Sequence, residues 1–222
     1  MDLGLQQLSD LQAQLRQAPL YQRWSMHILA QRSKRMHAAY LDLRLQNRYA
    51  AAVDFLIDDL FGPNSLCYRE LGLQKAEATM LRVLPEGLLK AVAQAVEFSL
   101  LTIRLDLGLA EILDVTAEPG ALPDAAMMQR AQRAMAAHEE YRRQISLVLE
   151  IGEEIEAIVH KPFVTLGLKM CRQPARVMGL GELQDYLERG VAAFKKMRGS
   201  AEFFKTFQQR EMSYLQSVFS GL

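Results

Sequence analysis

Four histidines, His27, His37, His138 and His160, are the first residues to test for metal or haem chemistry. A di-iron helical bundle needs Glu-x-x-His on two helices, because that spacing turns both ligands inward on one face. Here the positions three before the histidines hold Trp24, Lys34, Met135 and Ala157, which disfavours such a site. No His-Glu-x-x-His zinc helix is present either. Glu153, Glu154, Glu156 and His160 make the densest acidic cluster, and Glu156 and His160, one turn apart, could share a metal. Adjacent glutamates on a helix point in different directions, so a salt-bridge and capping face is the favoured reading. His27, beside Trp24 and Met26, and His37 have the setting an axial haem ligand needs, but nothing in their spacing specifies one.

Asp54 and Asp58 lie one turn apart beside Asp59, a paired-carboxylate geometry. Solvated like charges at that spacing cost only about 0.2–0.5 kcal/mol, so no catalytic role is required. The chain contains no Gly-x-Gly-x-x-Gly, no P-loop and no Gly-x-Ser-x-Gly. The more telling polar residues interrupt an apolar run. Ser99, Thr102 and Asp106 fall at i, i+3 and i+7, and Glu97, Arg104 and Glu111 repeat every seven residues. A buried charge without a partner costs roughly 3–5 kcal/mol, so arginines from neighbouring helices are expected to meet these acids.

Composition narrows the function classes. Lys+Arg and Asp+Glu balance at 26 each, without the basic excess usual in nucleic-acid binders. Between Tyr21 and Arg48 the basic residues Arg23, Arg32, Lys34, Arg35, Arg44 and Arg48 oppose only Asp42, and a solvated helix face is the expected explanation. No aromatic stacking platform is interleaved with them. Cys67 and Cys171 form no CxxC pair and suit a reducing compartment. The first eight residues lack the basic and apolar regions of a signal peptide, and no run approaches the roughly 18 apolar residues of a spanning helix. These features predict a cytoplasmic protein that binds neither nucleic acid nor membrane.

The elements that must position these residues read as helices throughout. Leu5, Leu8, Leu11 and Leu15 form one face of a first helix ending near Pro19. A second is expected from Leu20 toward Leu45, and a third from Arg48 to Phe61, stopped by Gly62-Pro63 with glycine as a left-handed cap. A further helical stretch is expected from Tyr68 to Leu84. Pro85 and Glu86 then open a long helix to Asp114 that is apolar all round and therefore buried. The alternation Leu101, Ile103, Leu105, Leu107, Leu109 suits a strand, but no second alternating run exists to pair with it. After a loop at Thr116–Pro123, Asp124 is expected to cap a helix running, with a kink near His138, to His160. Pro162, Gly167 and Pro174 are expected to break the next region into short pieces. Two last helices, Leu180–Met197 and Ala201–Phe219, flank Gly199-Ser200, with Ser200 as N-cap. The expected fold is an all-α single-domain bundle of about eight to ten helices, spanning 1–222, around the buried Pro85–Asp114 helix.

The segment Arg48-Tyr49, then Phe55-Leu56-Ile57, then Leu60-Phe61-Gly62-Pro63 resembles an uncharacterised bacterial all-helical family. That family reads Arg-Tyr, a Phe-Phe-Leu run and Leu-Tyr-Gly-Pro. Leu180-Gly181-Glu182-Leu183, continuing through Tyr186, Gly190 and Ala193-Phe194 to Arg210-Glu211, is similar to it too, as is Leu105-Asp106. Where the family favours histidine and glutamate in the central helix, this chain has Ser99 and Ile103. The resemblance implies a shared fold and no known chemistry.

Two functions are expected from the sequence. The first is a non-enzymatic protein-interaction or regulatory module, self-associating as a homodimer. Its basis is eleven methionines and an expected exposed aromatic surface in Phe203-Phe204-Lys205-Thr206-Phe207. The second is a helical pocket for an apolar ligand or haem-like cofactor beside the central helix, lined by Met and Phe with Ser99, Thr102 and Asp106 at its polar end. Arg48 and Tyr49 are further ligand-binding candidates, and Arg172, Glu188, Arg210 and Glu211 are the other polar residues singled out. With no nucleophile–base pair, an enzyme is least favoured.

Overall fold

The computed structural model of the protein describes residues 2–67, 77, 80–82, 84–118, 121–177 and 179–220, apart from the side chains of Pro162, Phe163 and Cys171. The described residues form α-helices and one π-helical segment, with no strand among them. The stretch expected from Tyr68 to Leu84 lies largely outside them. Helix α1 (Leu5–Arg16) buries Leu5, Leu8 and Leu15. Helix α2 (Pro19–Ala39) starts with proline at its first turn, where a missing N–H costs nothing. The expected continuation to Leu45 does not occur. Tyr40, at φ −117°, leaves the helix, and α3 (Leu41–Arg44) is a separate turn. That departure accompanies a fully buried Tyr40 ring stacked on Phe207 at 6.2 Å.

Helix α4 (Ala50–Asp54) widens into a π-helical segment, Phe55–Leu60. Phe61 N–H donates to the Leu56 carbonyl, five residues back, at 3.0 Å. Gly62 ends the segment, but not as a left-handed cap, since its φ is not positive. A Cβ there would come within 3.0 Å of the Ile57 carbonyl oxygen, so glycine is required by close approach of the backbone to itself.

The long helix α5 (Glu86–Thr116) is the axis of the molecule, with Pro85 at its N-cap position. It packs most extensively on α7 (His138–Val159) and next on α2. The alternating leucines belong to this helix: Ile103, Leu105 and Leu109 are buried, while Leu101 and Leu107 are half-buried. Asp124 caps α6 (Ala125–Met135) as expected, accepting from Met127 N–H at 2.7 Å. The kink foreseen near His138 is a full break, because Ala136 adopts φ 52° and separates α6 from α7.

The short pieces expected around Pro162, Gly167 and Pro174 are instead one helix, α8 (Pro162–Val177). Pro162 sits at its start, an interior glycine costs only about 1 kcal/mol, and Pro174 falls in the last turn. Beyond it Leu180 N–H returns to the Ala175 carbonyl at 2.7 Å and Gly179, at φ 74°, to that of Arg176. This is the paired closure that ends helices at a left-handed glycine. Helices α9 (Gly181–Met197) and α10 (Ala201–Phe219) complete the chain. Ser200 stands at the N-cap position of α10 without a side-chain capping bond.

One large apolar core packs on α5, and a smaller cluster lies at its C-terminal end around Trp24, Ile28, Leu109, Leu113 and Met128. Helix α5 is not buried all round as expected, since Lys90, Glu97, Arg104 and Glu111 form an exposed stripe. Among the described residues no helix is long and apolar enough to cross a membrane.

Candidate functional site: a cavity beside the central helix

The polar stripe of α5 is buried and partnered. Ser99 donates to the Ala95 carbonyl at 2.7 Å, a bond within its own helix. Thr102 donates to the Phe98 carbonyl at 2.8 Å and accepts from the Gln144 amide of α7 at 2.7 Å. Asp106 has no exposed surface and is ion-paired with Arg32 of α2. The second stripe differs, since Glu97, Arg104 and Glu111 are all exposed, and Glu97 pairs with Arg143 of α7 at 2.9 Å. Arginines from neighbouring helices therefore meet Asp106 and Glu97.

One turn beyond Arg32, Arg35 grips Glu211 of α10 through both guanidinium nitrogens, at 2.7 and 3.1 Å. Tyr40 donates to the same carboxylate at 2.8 Å. The Arg35 guanidinium also lies 4.2 Å from the Tyr214 ring centroid, and Tyr214 donates to Gln132 of α6 at 2.6 Å. Burial works against the charge on Arg35, but Glu211 outweighs it and the pKa is raised. Burial, then Glu211, also pushes the Tyr40 phenol up, so it stays a donor. The basic run of α2, expected to be a solvated face, thus turns Arg32 and Arg35 inward, leaving their side chains 14% and 26% exposed.

These two ion pairs border a cavity of about 260 Å³ between α2, α5, α6, α7 and α10. Its apolar wall includes Ile28, Phe61, Leu105, Leu109, Met128 and Leu215, and its polar wall Arg32, Arg35, Glu211, Gln132, Gln144 and Tyr214. Lys34 contributes at the solvent edge and has no ion-pair partner among the described residues. Tyr141 of α7 is also part of the wall, and its buried hydroxyl has no hydrogen-bond partner among the described residues. Burial raises the pKa of this phenol, and the nearby Gln132 side chain works against that shift.

Of the residues singled out from sequence, Asp106 and Thr102 stand directly behind this wall, holding Arg32 and Gln144, which line it. Ser99 does not reach it. Arg48 and Tyr49 lie elsewhere: Arg48 donates to the Met197 carbonyl at 2.7 Å and the Gly199 carbonyl at 3.1 Å, and Tyr49 donates to Glu202. They close the α9–α10 turn and do not line the cavity. Arg172 pairs with Glu188, and Arg210 with Asp42 at 2.7 Å. Asp54 pairs with Arg44 and buried Asp59 with Arg189, on opposite sides of the π segment's start. His160 approaches Glu156 at 3.5 Å. Among the described residues no group of three or more His, Cys, Asp or Glu is placed to hold a metal. The aromatic surface expected at Phe203, Phe204 and Phe207 is not exposed: Phe203 and Phe207 are core residues and Phe204 is half-buried. Sequence reasoning passed over Tyr141, Gln132, Gln144 and Tyr214. The available signal was polar residues recurring on the inward faces of α6, α7 and α10.

A second gap, of about 40 Å³ beside Phe55, Tyr186 and Gly190, is almost wholly apolar and too small for more than water.

No curated protein and no solved structure matches the chain. The model of one family, a domain of unknown function (DUF8198), matches residues 11–222. With that match running from within α1 through every element that borders the cavity, the chain belongs to the family of DUF8198 domains.

Proposed function

We propose that this protein is a binding module for a small amphipathic molecule, taken up in the cavity between α2, α5, α6, α7 and α10. The observation that carries the reading is a mainly apolar cavity of about 260 Å³ whose wall also holds Arg32, Arg35, Gln132, Gln144 and Tyr214. An engineered apolar cavity of roughly 150 Å³ takes up benzene, so about 260 Å³ corresponds to a ligand on the order of ten non-hydrogen atoms. Uncharged 3-phenylpropanamide is a suitable probe. In an NMR titration its shifts are expected to concentrate at Leu105, Met128, Tyr141 and Leu215, and Met128→Trp, which fills the cavity, is expected to abolish them. Shifts scattered over the surface, or none at millimolar probe, would remove the proposal.

A second reading is the protein-interaction module. Its original basis in the α10 phenylalanines is lost to burial. Leu166, Met170 and Val177 of α8, at 60%, 71% and 86% exposed, now support it. Self-association through that face would appear in light scattering as a dimer disrupted by Leu166→Ser with Met170→Ser. A monomer at high concentration counts against it.

A further inference from the structure

We infer that the ligand of this cavity is an anion, a monocarboxylate with an apolar body, and this rests on the binding reading above. The charges on the wall decide the sign. Arg32, Lys34 and Arg35 come from one turn of α2 and all line the cavity. Two acids answer them: Asp106, behind Arg32, and Glu211, clasped by Arg35 and Tyr40. Each acid is matched by one arginine, so the site carries one positive charge in excess, that of Lys34. A cationic ligand would meet this excess together with two guanidinium groups whose carboxylates are already engaged. A carboxylate would instead gain a charge-assisted contact at the edge, with its apolar body among Ile28, Leu105, Leu109 and Met128.

The Tyr141 phenol is a donor, and burial keeps it protonated. A neutral hydroxyl donates to a carboxylate or an amide carbonyl and its oxygen also accepts from an ammonium group, so it does not set the sign of the ligand. Shape and hydrogen bonding therefore admit an acid, an amide and an ammonium alike, whereas Lys34 separates them. Because Lys34 lies at the solvent edge, its contribution is also exposed to screening by salt.

Three probes of one shape separate the possibilities: 3-phenylpropanoate, 3-phenylpropanamide and 3-phenylpropylammonium, titrated at pH 7 by calorimetry and NMR. The expected order is acid, then amide, then ammonium, with at least a tenfold gap between the first and the last. Lys34→Gln, an exposed change that leaves the core untouched, is expected to weaken the acid several-fold and leave the amide unchanged. Raising the salt concentration should do the same. An amide or ammonium that binds as tightly as the acid, or a Lys34→Gln protein that holds the acid unchanged, overturns the anion assignment while leaving the cavity as a binding site. Failure of all three probes removes the binding reading itself.

Discussion

Asp106 is fully buried in the middle of α5, and its charge is held against Arg32 from α2. Removing one partner of such a pair strands the other, which costs roughly 3–5 kcal/mol, whereas replacing both by apolar residues is often neutral. Arg32→Met is therefore expected to lower stability by about 3 kcal/mol in urea titration, and Arg32→Met with Asp106→Leu to recover most of it. A single mutant as stable as the parent would show that the pair contributes nothing. Tyr141 predicts the opposite sign, because its hydroxyl is buried without a partner. Tyr141→Phe should leave the protein as stable as before or up to about 1 kcal/mol more so. Loss of stability on that substitution would reveal a partner for the hydroxyl. Asp42 ties stability to pH. Its hydrogen bonds from Arg210 outweigh the opposing effect of burial and lower its pKa from 3.8 to about 2. A depressed folded-state value means that this contribution is present above pH 3.8 and is lost as pH falls through 2. The pair is largely exposed, so its worth is at most about 1 kcal/mol. Asp42→Asn should flatten the fall in stability between pH 4 and 2, and an unchanged slope in urea titrations at those pH values would exclude the effect. At this scale the sequence disclosed Asp106, because an acid inside an apolar run demands an explanation. It did not disclose Tyr141 or Gln144, whose types are ordinary on either face of a helix.

Helices were legible wherever apolar spacing persisted, and their ends were legible where proline or a capping aspartate acted locally, as at Pro85 and Asp124. The misread features share a different cause: nothing in the local pattern announces them. Tyr40 leaves α2 with its hydroxyl on Glu211, which is 171 residues away in the chain, a pull that no local pattern encodes. Ala136 takes a left-handed conformation that alanine does not advertise, so the α6–α7 break read as a kink. Gly152 is the sharpest case. Midway along α7 it looks like a weakness, and glycine to alanine in a helix interior ordinarily gains about 1 kcal/mol. Here α10 crosses so closely that an added Cβ would lie within 3.0 Å of three ring carbons of Phe204. That ring is fixed between Phe194 and Phe203, at 5.6 and 5.4 Å. Gly152→Ala is thus expected to destabilise by about 1–3 kcal/mol, and Phe204→Leu to relieve much of the cost in the double mutant. Thermal melts of the four proteins would test it, and a stabilised Gly152→Ala would mean that α7 and α10 separate easily.

For the molecule as a whole, the cavity lies at a seam. Phe61, Leu105, Ile145 and Leu215 belong to the main core, whereas Ile28, Leu109 and Met128 belong to the smaller cluster that contains Trp24. A seam is a natural place for a ligand site, since two cores packed separately leave a gap that neither fills. Whether the two parts fold as one unit then depends on what spans them. Helix α5 passes through both without a break, and α2 supplies Ile28 to one and Met36 to the other. The Arg32–Asp106 pair bridges these two helices between the clusters. Melting the smaller cluster alone would fray the end of α5 and expose Trp24, whose indole donates to Asp114 at 2.9 Å. It would also loosen the ion pair of fully buried Asp106. Continuous helices and that penalty favour a single cooperative transition. Trp24 is the chain's one tryptophan, so its fluorescence reports the smaller cluster while circular dichroism reports all helices. The two urea curves are expected to coincide in midpoint and slope. A fluorescence transition at lower urea than the loss of helix would instead make the α6 side of the cavity a separately folding flap, and Arg32→Met should widen any such gap.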